Sequence, residues 1–241
     1  MKGSGSQMID IHCHLLYGVD DGSDSLEESC QMLHRAAEQG INKMILTPHY
    51  RHGMFSFPVK EISEHFKELK SHAAEEGIEI FLGCEYHMDS DCIRHMRSRR
   101  TLTLAKSSYI LTEYSHVSTW PYIERMTEEV LRNGYRPVIA HIERYPAVMD
   151  DLSRAAQLQN MGAMIQVNAD SVLGNEGRKQ KAFCKKMLKE GLVDLVASDA
   201  HGIRRRVCNL KQCHDYIMRK YGENTARKLT STNPARILMD I

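Results

Sequence analysis

Nine side chains that can bind metal ions lie at the ends of apolar segments of this chain, or in the turns just after them. They are His12, His14, Asp21, His49, Glu85, Glu113, His141, Asp199 and His201. An apolar run followed by a nitrogen or oxygen ligand, repeated along the chain, predicts a polynuclear metal site at the carboxyl edge of a parallel sheet or barrel. The pattern by itself indicates a metal-dependent hydrolase.

Two pairs of these ligands have the spacing of neighbours on one face of a strand. His12 and His14 form one pair, and Asp199 and His201 form the other. Alternate residues of a strand lie about 6.6 Å apart on the same face, so each pair could chelate one ion. At about four to six ligands per ion, the nine donors suit two or three ions. Imidazole and carboxylate without thiolate favour Mn²⁺, Fe or Zn²⁺.

Each of the nine ligands also has an ordinary structural alternative. A single buried histidine is more often a hydrogen-bonded core residue, and a glutamate after a strand often caps the next helix. Their joint placement favours metal binding, because burying so many carboxylates and imidazoles at one barrel mouth without cations would be very costly.

Arginines follow two of the predicted ligands. Arg144 comes three residues after His141, and Arg204, Arg205 and Arg206 follow His201. A guanidinium beside metal ions favours an anionic substrate, best a phosphate bound by two parallel hydrogen bonds. Consecutive arginines are also common on an exposed surface. We therefore predict that Arg144 and one member of the triplet bind phosphate.

Alternating strands and helices must position these side chains. The predicted strands are 8–12, 43–47, 78–83, 108–112, 137–140, 163–168 and 193–197, and the predicted helices are 25–39, 59–76, 120–133, 152–160 and 177–190. Strict alternation predicts parallel strands with right-handed crossovers. We expect a single α/β domain over 8–241, a distorted seven-stranded TIM-like barrel. Its tail, 226–241, should form a helix, a turn at STNP and a short final helix.

Composition excludes several classes of protein. The chain has 241 residues with Lys+Arg 32, Asp+Glu 31 and a net charge of +1, so no basic surface for nucleic acid is expected. No apolar run approaches the roughly 18 residues that span a membrane. The seven cysteines form no C-x-x-C pair and predict reduced thiols in the cytoplasm. Residues 1–7 read as an N-terminal extension or a cloning remnant, not a signal peptide.

The motifs HCH, TPH, GCE, TE, AHIERY and SDAH resemble those of the PHP (polymerase and histidinol phosphatase) superfamily. The chain is more closely similar to the bacterial capsule and exopolysaccharide protein-tyrosine phosphatases. The shared segments are MIDIHCHLLYGVDDGSDSLEES, ILTPHYRHGMF, LGCEY, AHIERYP, SDAHGIRRR and NPARIL. They lie in order over nearly all of 8–241.

The resemblance implies a PHP fold with three divalent metal ions, most plausibly Mn²⁺. The first ion would be held by His12, His14, Glu85 and Asp199, the second by the bridging Glu85 with Glu113 and His141, and the third by Asp21, His49 and His201. It also implies that Arg144 and Arg206 contact the phosphate. Relatives commonly carry Ser at position 13, where this chain has Cys13.

The implied reaction is hydrolysis of phosphotyrosine by a metal-bridging hydroxide, because clustered dications lower the pKa of a bridging water. A tyrosinate has a pKa near 10 and leaves with modest help. The implied partner is the tyrosine-rich tail of a membrane-associated capsule autokinase. We expect the aromatic loop 50–58 to border the substrate tyrosine; the alternative is that it packs on the barrel rim.

Other functions fit parts of the sequence. Cys213 and Arg219 have the Cys-x5-Arg spacing of thiol phosphatases, but the segment has no glycine and reads as helix interior. A histidinol phosphatase or another small-molecule phosphatase could use the same fold, and the balanced charge disfavours a nuclease. The non-enzyme alternative is a scaffold that binds metal for folding only.

Overall fold

The computed structural model describes residues 7–55, 57–98 and 101–240. Residues 1–6 of the predicted extension 1–7 lie outside the described residues. Within the described ranges, nine parallel strands alternate with helices. The strands are β1 (Met8–Cys13), β2 (Ile41–Leu46), β3 (His49–Tyr50), β4 (Glu79–Leu82), β5 (Glu85–His87), β6 (Tyr109–Glu113), β7 (Arg136–Ile139), β8 (Met164–Asn168) and β9 (Leu195–Ala197).

The strands form two parallel sheets that are joined where β1 lies beside β9. One has the order β1-β2-β4 and the other the order β3-β5-β6-β7-β8-β9. The end of β1 pairs with the segment after β9 through a parallel bridge between Cys13 and Ala200. There the backbone N–H of Asp199 donates to the carbonyl of His12 over 2.9 Å. The last strand therefore returns to the first, and their carboxyl ends lie side by side.

The predicted count of seven strands is not confirmed, because two of the predicted strands are each interrupted. β2 and β3 are separated at Pro48, which has no N–H to donate to the ladder. β4 and β5 are separated at Gly83, where a Cβ would lie 2.8 Å from the side chain of Leu104. Hydrogen bonds still cross both breaks, since Gly83 N donates to Leu46 O and Glu85 N to Pro48 O.

Helices follow most strands at close to the predicted bounds. They are α1 (Leu26–Glu38), α2 (Val59–Glu75), α3 (Ser90–Arg97), α4 (Trp120–Arg132), α5 (Pro146–Met149), α6 (Ser153–Met161), α7 (Ala169–Leu173), α8 (Arg178–Lys189), α9 (Leu210–Tyr221), α10 (Glu223–Arg227) and α11 (Asn233–Leu238). The predicted cap of α1 is present: the Ser25 side chain accepts from the backbone N–H of Glu28.

The tail differs from the prediction of a turn at STNP. Residues Lys228–Thr232 form a π-helical segment that runs directly into α11. Pro234 lies in the first turn of α11 and has no N–H to donate to the helical residues before it. The Asn233 side chain donates to the Asp194 carbonyl, which ties the tail to the loop before β9. Ile237 then packs with inward residues of the sheets, among them Ile11 and Leu195.

The strands are buried almost throughout, as the continuous apolar runs predicted. β1, β6 and β9 are buried at every residue. Among the residues described, every helix is too short or too polar to cross a membrane.

Candidate metal centre

The nine predicted ligands come together at the carboxyl ends of the strands. His12, Glu113, His141 and Asp199 lie at the ends of β1, β6, β7 and β9, with His14 and His201 close behind. His49 and Glu85 differ from the prediction, since each begins a short strand instead of ending a long one. Asp21 comes from the turn before α1.

Eight of the nine form three overlapping groups whose possible ligand atoms lie within 4.8 Å of one another in each group. The first group is His12, His14, Glu85 and Asp199; the second is His49, Glu85 and Glu113; and the third is His14, Asp21, His49 and His201. His141 lies outside these groups, but its Nε2 is 2.8 Å from Glu85 Oε1 and 3.8 Å from Glu113 Oε2.

Glu85 lies at the centre of the cluster. Its Oε2 is 3.0 Å from His12 Nε2, 3.1 Å from His14 Nε2 and 3.3 Å from His49 Nδ1. Its Oε1 faces His141 instead. The two carboxylate oxygens therefore face different imidazoles, which is the arrangement that a bridging ligand needs.

The third group is the most open. Asp21 Oδ1 lies 3.5 Å from both His49 Nε2 and His201 Nε2. The Asp21 side chain is 54% exposed, whereas both imidazoles are buried. This group faces a cavity of about 760 Å³, whose lining includes Asp21, His201 and the three consecutive arginines.

Three buried ligand atoms in the cluster make no hydrogen bond within the described ranges. They are His49 Nδ1, Asp199 Oδ1 and His201 Nε2. Unsatisfied buried polar atoms are costly, and these three are among seven such side-chain atoms in the described ranges. Divalent cations would satisfy them, and the mixed imidazole and carboxylate donors suit such ions.

Charges within the cluster set the protonation of its ligands. Burial alone would raise the pKa of Glu85, but His12 and His49 outweigh it and hold that pKa well below its usual range. Burial would also raise the pKa of Asp199, but His12 and Arg144 outweigh burial and hold that pKa well below its usual range. Burial and the neighbouring charge of His14 lower the pKa of His201 to about 4. These three groups are thus in the deprotonated form that metal ligands require.

Two histidines of the cluster behave differently. Burial would lower the pKa of His12, but the carboxylates of Glu85 and Asp199 outweigh burial and raise that pKa. Burial would likewise lower the pKa of His14, but the carboxylate of Asp20 outweighs burial and raises it to about 10. A cation bound at His14 Nε2 would have to displace that proton, while the bond from Nδ1 to Asp20 could remain.

Two arginines reach the cluster through Asp199. Arg144 Nη1 lies 3.0 Å and Arg206 Nη2 2.7 Å from Asp199 Oδ2. Asp199 Oδ1 points instead toward His12, at 3.3 Å. Of the consecutive arginines, Arg204 and Arg205 form no ion pair with any residue of the described ranges, so Arg206 is the member that the structure brings to the site.

Several residues that hold the ligands were missed by sequence reasoning. Gln166 Oε1 lies 3.2 Å from His12 Nδ1 and accepts from the backbone N–H of His141. Further residues of this kind are Asp20 beside His14, Tyr145 beside His141, His87 beside Glu113 and Glu176 beside Arg144. A signal existed for Gln166 and Asn168, which are buried polar residues two apart on β8, the predicted strand without a ligand.

The aromatic loop contributes one ring to the site. Phe55 stacks on His49 with a centroid distance of 5.2 Å and an interplanar angle of 5°. Tyr50 instead packs against Tyr86 and His95, away from His49. Phe55 therefore lies beside a predicted ligand, whereas Tyr50 packs against neighbouring rings; that the loop borders the substrate tyrosine stays a prediction.

The cysteines form no alternative centre. All seven are free thiols. Cys213 is buried within α9, where the backbone N–H groups serve the helix and cannot cradle a phosphate, and burial raises the pKa of its thiol. Cys13 is fully buried as well, with its thiol 3.5 Å from the Ile45 carbonyl.

The chain is similar over nearly its whole length to tyrosine-protein phosphatases of a capsular polysaccharide synthesis family. The family model described as "Capsular polysaccharide synthesis, CpsB/CapC" matches residues 8–239. The tyrosine-protein phosphatase CpsB of Streptococcus pneumoniae is 35% identical over 240 residues, covering 97% of this chain and 99% of that protein. The tyrosine-protein phosphatase YwqE of Bacillus subtilis is 30% identical, covering 92% and 89%.

Solved structures agree with these relatives. A crystal structure of YwqE and CpsB, described as metal-dependent tyrosine phosphatases, superposes with a TM-score of 0.86 at 28% identity, over 97% of this chain and 95% of that one. The phosphotriesterase homology protein of Escherichia coli superposes with a TM-score of 0.65 at 13% identity, over 97% and 99%. The second likeness concerns the fold alone.

Proposed function

This chain belongs to the CpsB/CapC family of capsular polysaccharide synthesis, and from that membership we propose that it is a metal-dependent protein-tyrosine phosphatase. The observation that carries the proposal is the meeting of Arg144 and Arg206 on Asp199, beside a cluster of imidazoles and carboxylates. Guanidinium groups next to a metal cluster suit a phosphate monoester better than a neutral substrate.

We propose that the cluster holds three divalent ions, most plausibly Mn²⁺. His12, His14, Glu85 and Asp199 would hold one ion; Glu85, Glu113 and His141 a second; and Asp21, His49 and His201 a third. The unsatisfied atoms on His49, Asp199 and His201 support this assignment. When bound, the ions supply Lewis acidity toward the phosphate and an activated water at neutral pH.

The chain's own residues bind and orient the phosphate. Arg144 is held from behind by Glu176, whose two oxygens accept from Arg144 Nε over 3.0 Å and Nη2 over 2.6 Å. Arg144 Nη1 and the Arg206 side chain then face the cluster through Asp199. We propose that both guanidiniums bind phosphate oxygens and stabilise the charge that accumulates on them during transfer.

The position of Phe55 is an argument for a substrate with an aromatic leaving group. Its ring covers His49 at the edge of the cluster and could pack against a substrate ring in the same way. A tyrosinate leaves with modest help because its pKa is near 10. We propose that the physiological substrate is a phosphotyrosine protein, the tyrosine-rich tail of a capsule tyrosine autokinase, and that the enzyme acts in the cytoplasm.

We further propose that 8–241 form a single domain, a distorted TIM-like barrel. In this barrel β2 and β3 count as one interrupted strand, and β4 and β5 as another, so that the nine strands occupy seven positions. The hydrogen bonds that cross the two strand breaks support this, as does the bridge between Cys13 and Ala200.

Metal reloading tests the function. The chain is stripped with EDTA, reloaded with Mn²⁺, Fe²⁺, Zn²⁺ or Mg²⁺, and assayed on a phosphotyrosine peptide and on histidinol phosphate. We expect activity to vanish on stripping, to return best with Mn²⁺, and to favour the peptide. Preference for histidinol phosphate would assign a small-molecule phosphatase. If the chain has no activity on either substrate with any ion, and His141→Ala changes only its stability, the chain is a scaffold that binds metal for folding only.

Cys213→Ser is the matched control for the thiol alternative. Full activity of this variant is expected, because Cys213 is buried in α9. Its inactivity, together with resistance of the wild-type enzyme to EDTA, would overturn the metal-dependent mechanism.

A further inference from the structure

Asp20, beside the predicted ligand Asp21, is a buried carboxylate at the edge of the cluster. Its side chain is 1% exposed. Its Oδ2 accepts from His14 Nδ1 over 2.8 Å and from the backbone N–H of His49 over 3.0 Å. Its Oδ1 accepts from the backbone N–H of Gly22 over 2.9 Å. One carboxylate thus joins three segments that carry predicted ligands.

The turn around Asp20 is packed tightly onto β1. A Cβ at Gly22 would lie 2.2 Å from the carbonyl oxygen of His14, so only glycine fits there. Ser23 N donates to that same oxygen over 3.0 Å. The turn that carries Asp21 is therefore fixed against the backbone of His14, and Asp20 is fixed with it.

We infer that Asp20 is a positioning residue for the metal centre. Asp20 binds no ion itself, and it holds His14 with Nε2 directed at the cluster. This inference rests on the proposed metal-dependent function. A carboxylate that accepts Nδ1–H fixes the tautomer of an imidazole and leaves the Nε2 lone pair for a metal ion. His14 Nε2 lies 3.1 Å from Glu85 Oε2, which places it among the ligand atoms.

The same carboxylate sets the position of the third group. Its bond to His49 N holds the start of β3, and its bond to Gly22 N holds the turn next to Asp21. His14, Asp21 and His49 together supply three of the four residues in that group. Loss of Asp20 should therefore weaken metal binding without removing any ligand.

Asparagine at this position has the shape of aspartate but cannot replace it. All three partners of Asp20 are N–H donors, and an amide offers one oxygen. In either orientation its NH₂ faces a donor, at Gly22 or at the pair of His14 and His49. With NH₂ toward His14, the imidazole would become an acceptor at Nδ1 and carry its proton at Nε2, where it could not bind a metal.

The test is a Mn²⁺ titration without substrate, with metal content measured after desalting. Asp20→Asn is compared with Asp24→Asn, which changes an exposed carboxylate after the same turn. We expect Asp20→Asn to lower the affinity of at least one ion by about 10- to 100-fold, a typical effect for such supporting residues. Asp24→Asn should bind as wild type, and excess Mn²⁺ should restore activity to Asp20→Asn.

Equal affinity of Asp20→Asn and wild type would overturn the inference, as would an equal loss in Asp24→Asn, which would indicate only a general charge effect. Circular dichroism in EDTA shows whether the variant folds. If it does not, Asp20→Glu takes its place, because it keeps the charge and displaces the carboxylate; wild-type affinity in that variant also counts against positioning. Failure of the proposed function is distinct, since the wild-type chain would then bind no Mn²⁺ or show no phosphatase activity.

Discussion

Replacing Arg144 with lysine tests the phosphate site while keeping its charge. The guanidinium makes three ionic contacts in a fixed plane: two to Glu176, and one from Nη1 to Asp199 Oδ2 at 3.0 Å. A lysine ammonium is a point charge on a flexible stem and cannot span both carboxylates. We expect the lysine to pair with Glu176 and to lose the contact that Arg144 Nη1 makes toward Asp199 and the cluster.

The size of the effect follows from that single lost contact. A charge-assisted hydrogen bond is worth about 1.5–3 kcal/mol. At about 1.4 kcal/mol per factor of ten, kcat/KM should fall about 10- to 150-fold. Much of the loss should be in kcat, because charge on the phosphate oxygens develops in the transition state.

Steady-state kinetics on a phosphotyrosine peptide at saturating Mn²⁺ measure this loss. Arg204→Lys is the matched control, since Arg204 is exposed and forms no ion pair with the residues described; it should change kcat/KM less than about twofold. Metal content of Arg144→Lys at saturating Mn²⁺ should match the wild type. A kcat/KM within twofold of wild type, or a loss that follows metal content, would refute the phosphate role of Arg144.

Two further outcomes are expected. Phe55→Ala should raise KM for the peptide about two- to tenfold, the value of one aromatic contact, while Met54→Ala, an exposed neighbour, should not; unchanged peptide kinetics would remove Phe55 from the substrate site. In EDTA, the pKa of His201 is about 4, so the unfolded chain binds more protons between pH 4 and about 6.5 and stability falls as the pH falls through that window. In urea unfolding, the loss of stability across this window should be smaller in His201→Gln than in the wild type, by up to about 3 kcal/mol. An equal loss in the two proteins would contradict the lowered pKa of His201.

Much of the barrel could be predicted because its strands are buried on both faces. Such strands read as continuous apolar runs, and the structure places β1, β6 and β8 within two residues of the predicted bounds. Helices were predictable from their ends. Glycine follows α6 with φ 108°, a backbone conformation that favours glycine, and it stops the helix where expected.

The short strands β3 and β5 could not be predicted in the same way. They contain two and three residues, too few to show an alternation of apolar and polar positions. Both carry a ligand at their first residue, His49 and Glu85. Each break lies just before the ligand, and the sheet divides between β4 and β5. Hydrogen-bonding pattern, which depends on neighbouring strands, decides such breaks, and one sequence does not show it.

The supporting residues were hidden for a different reason. A metal ligand shows itself by its type and its place after a strand, and both can be read locally. Gln166 shows itself only by what it touches, since its Oε1 lies 3.2 Å from His12 Nδ1, 154 positions away along the chain. Glu176 is similar, because an acidic residue in a loop is ordinary until Arg144 is found against it.

Asp20 lies between these cases and shows what type and spacing leave undecided. In the pair Asp20-Asp21, either carboxylate could be the ligand and the other its support. The structure separates them by exposure and by partners: Asp21 is half exposed and faces two imidazole Nε2 atoms, whereas Asp20 is buried and accepts only from N–H donors. A carboxylate whose oxygens are both occupied by donors has little capacity left for a cation. The ligand set of this centre is therefore decided by which lone pairs the fold leaves free.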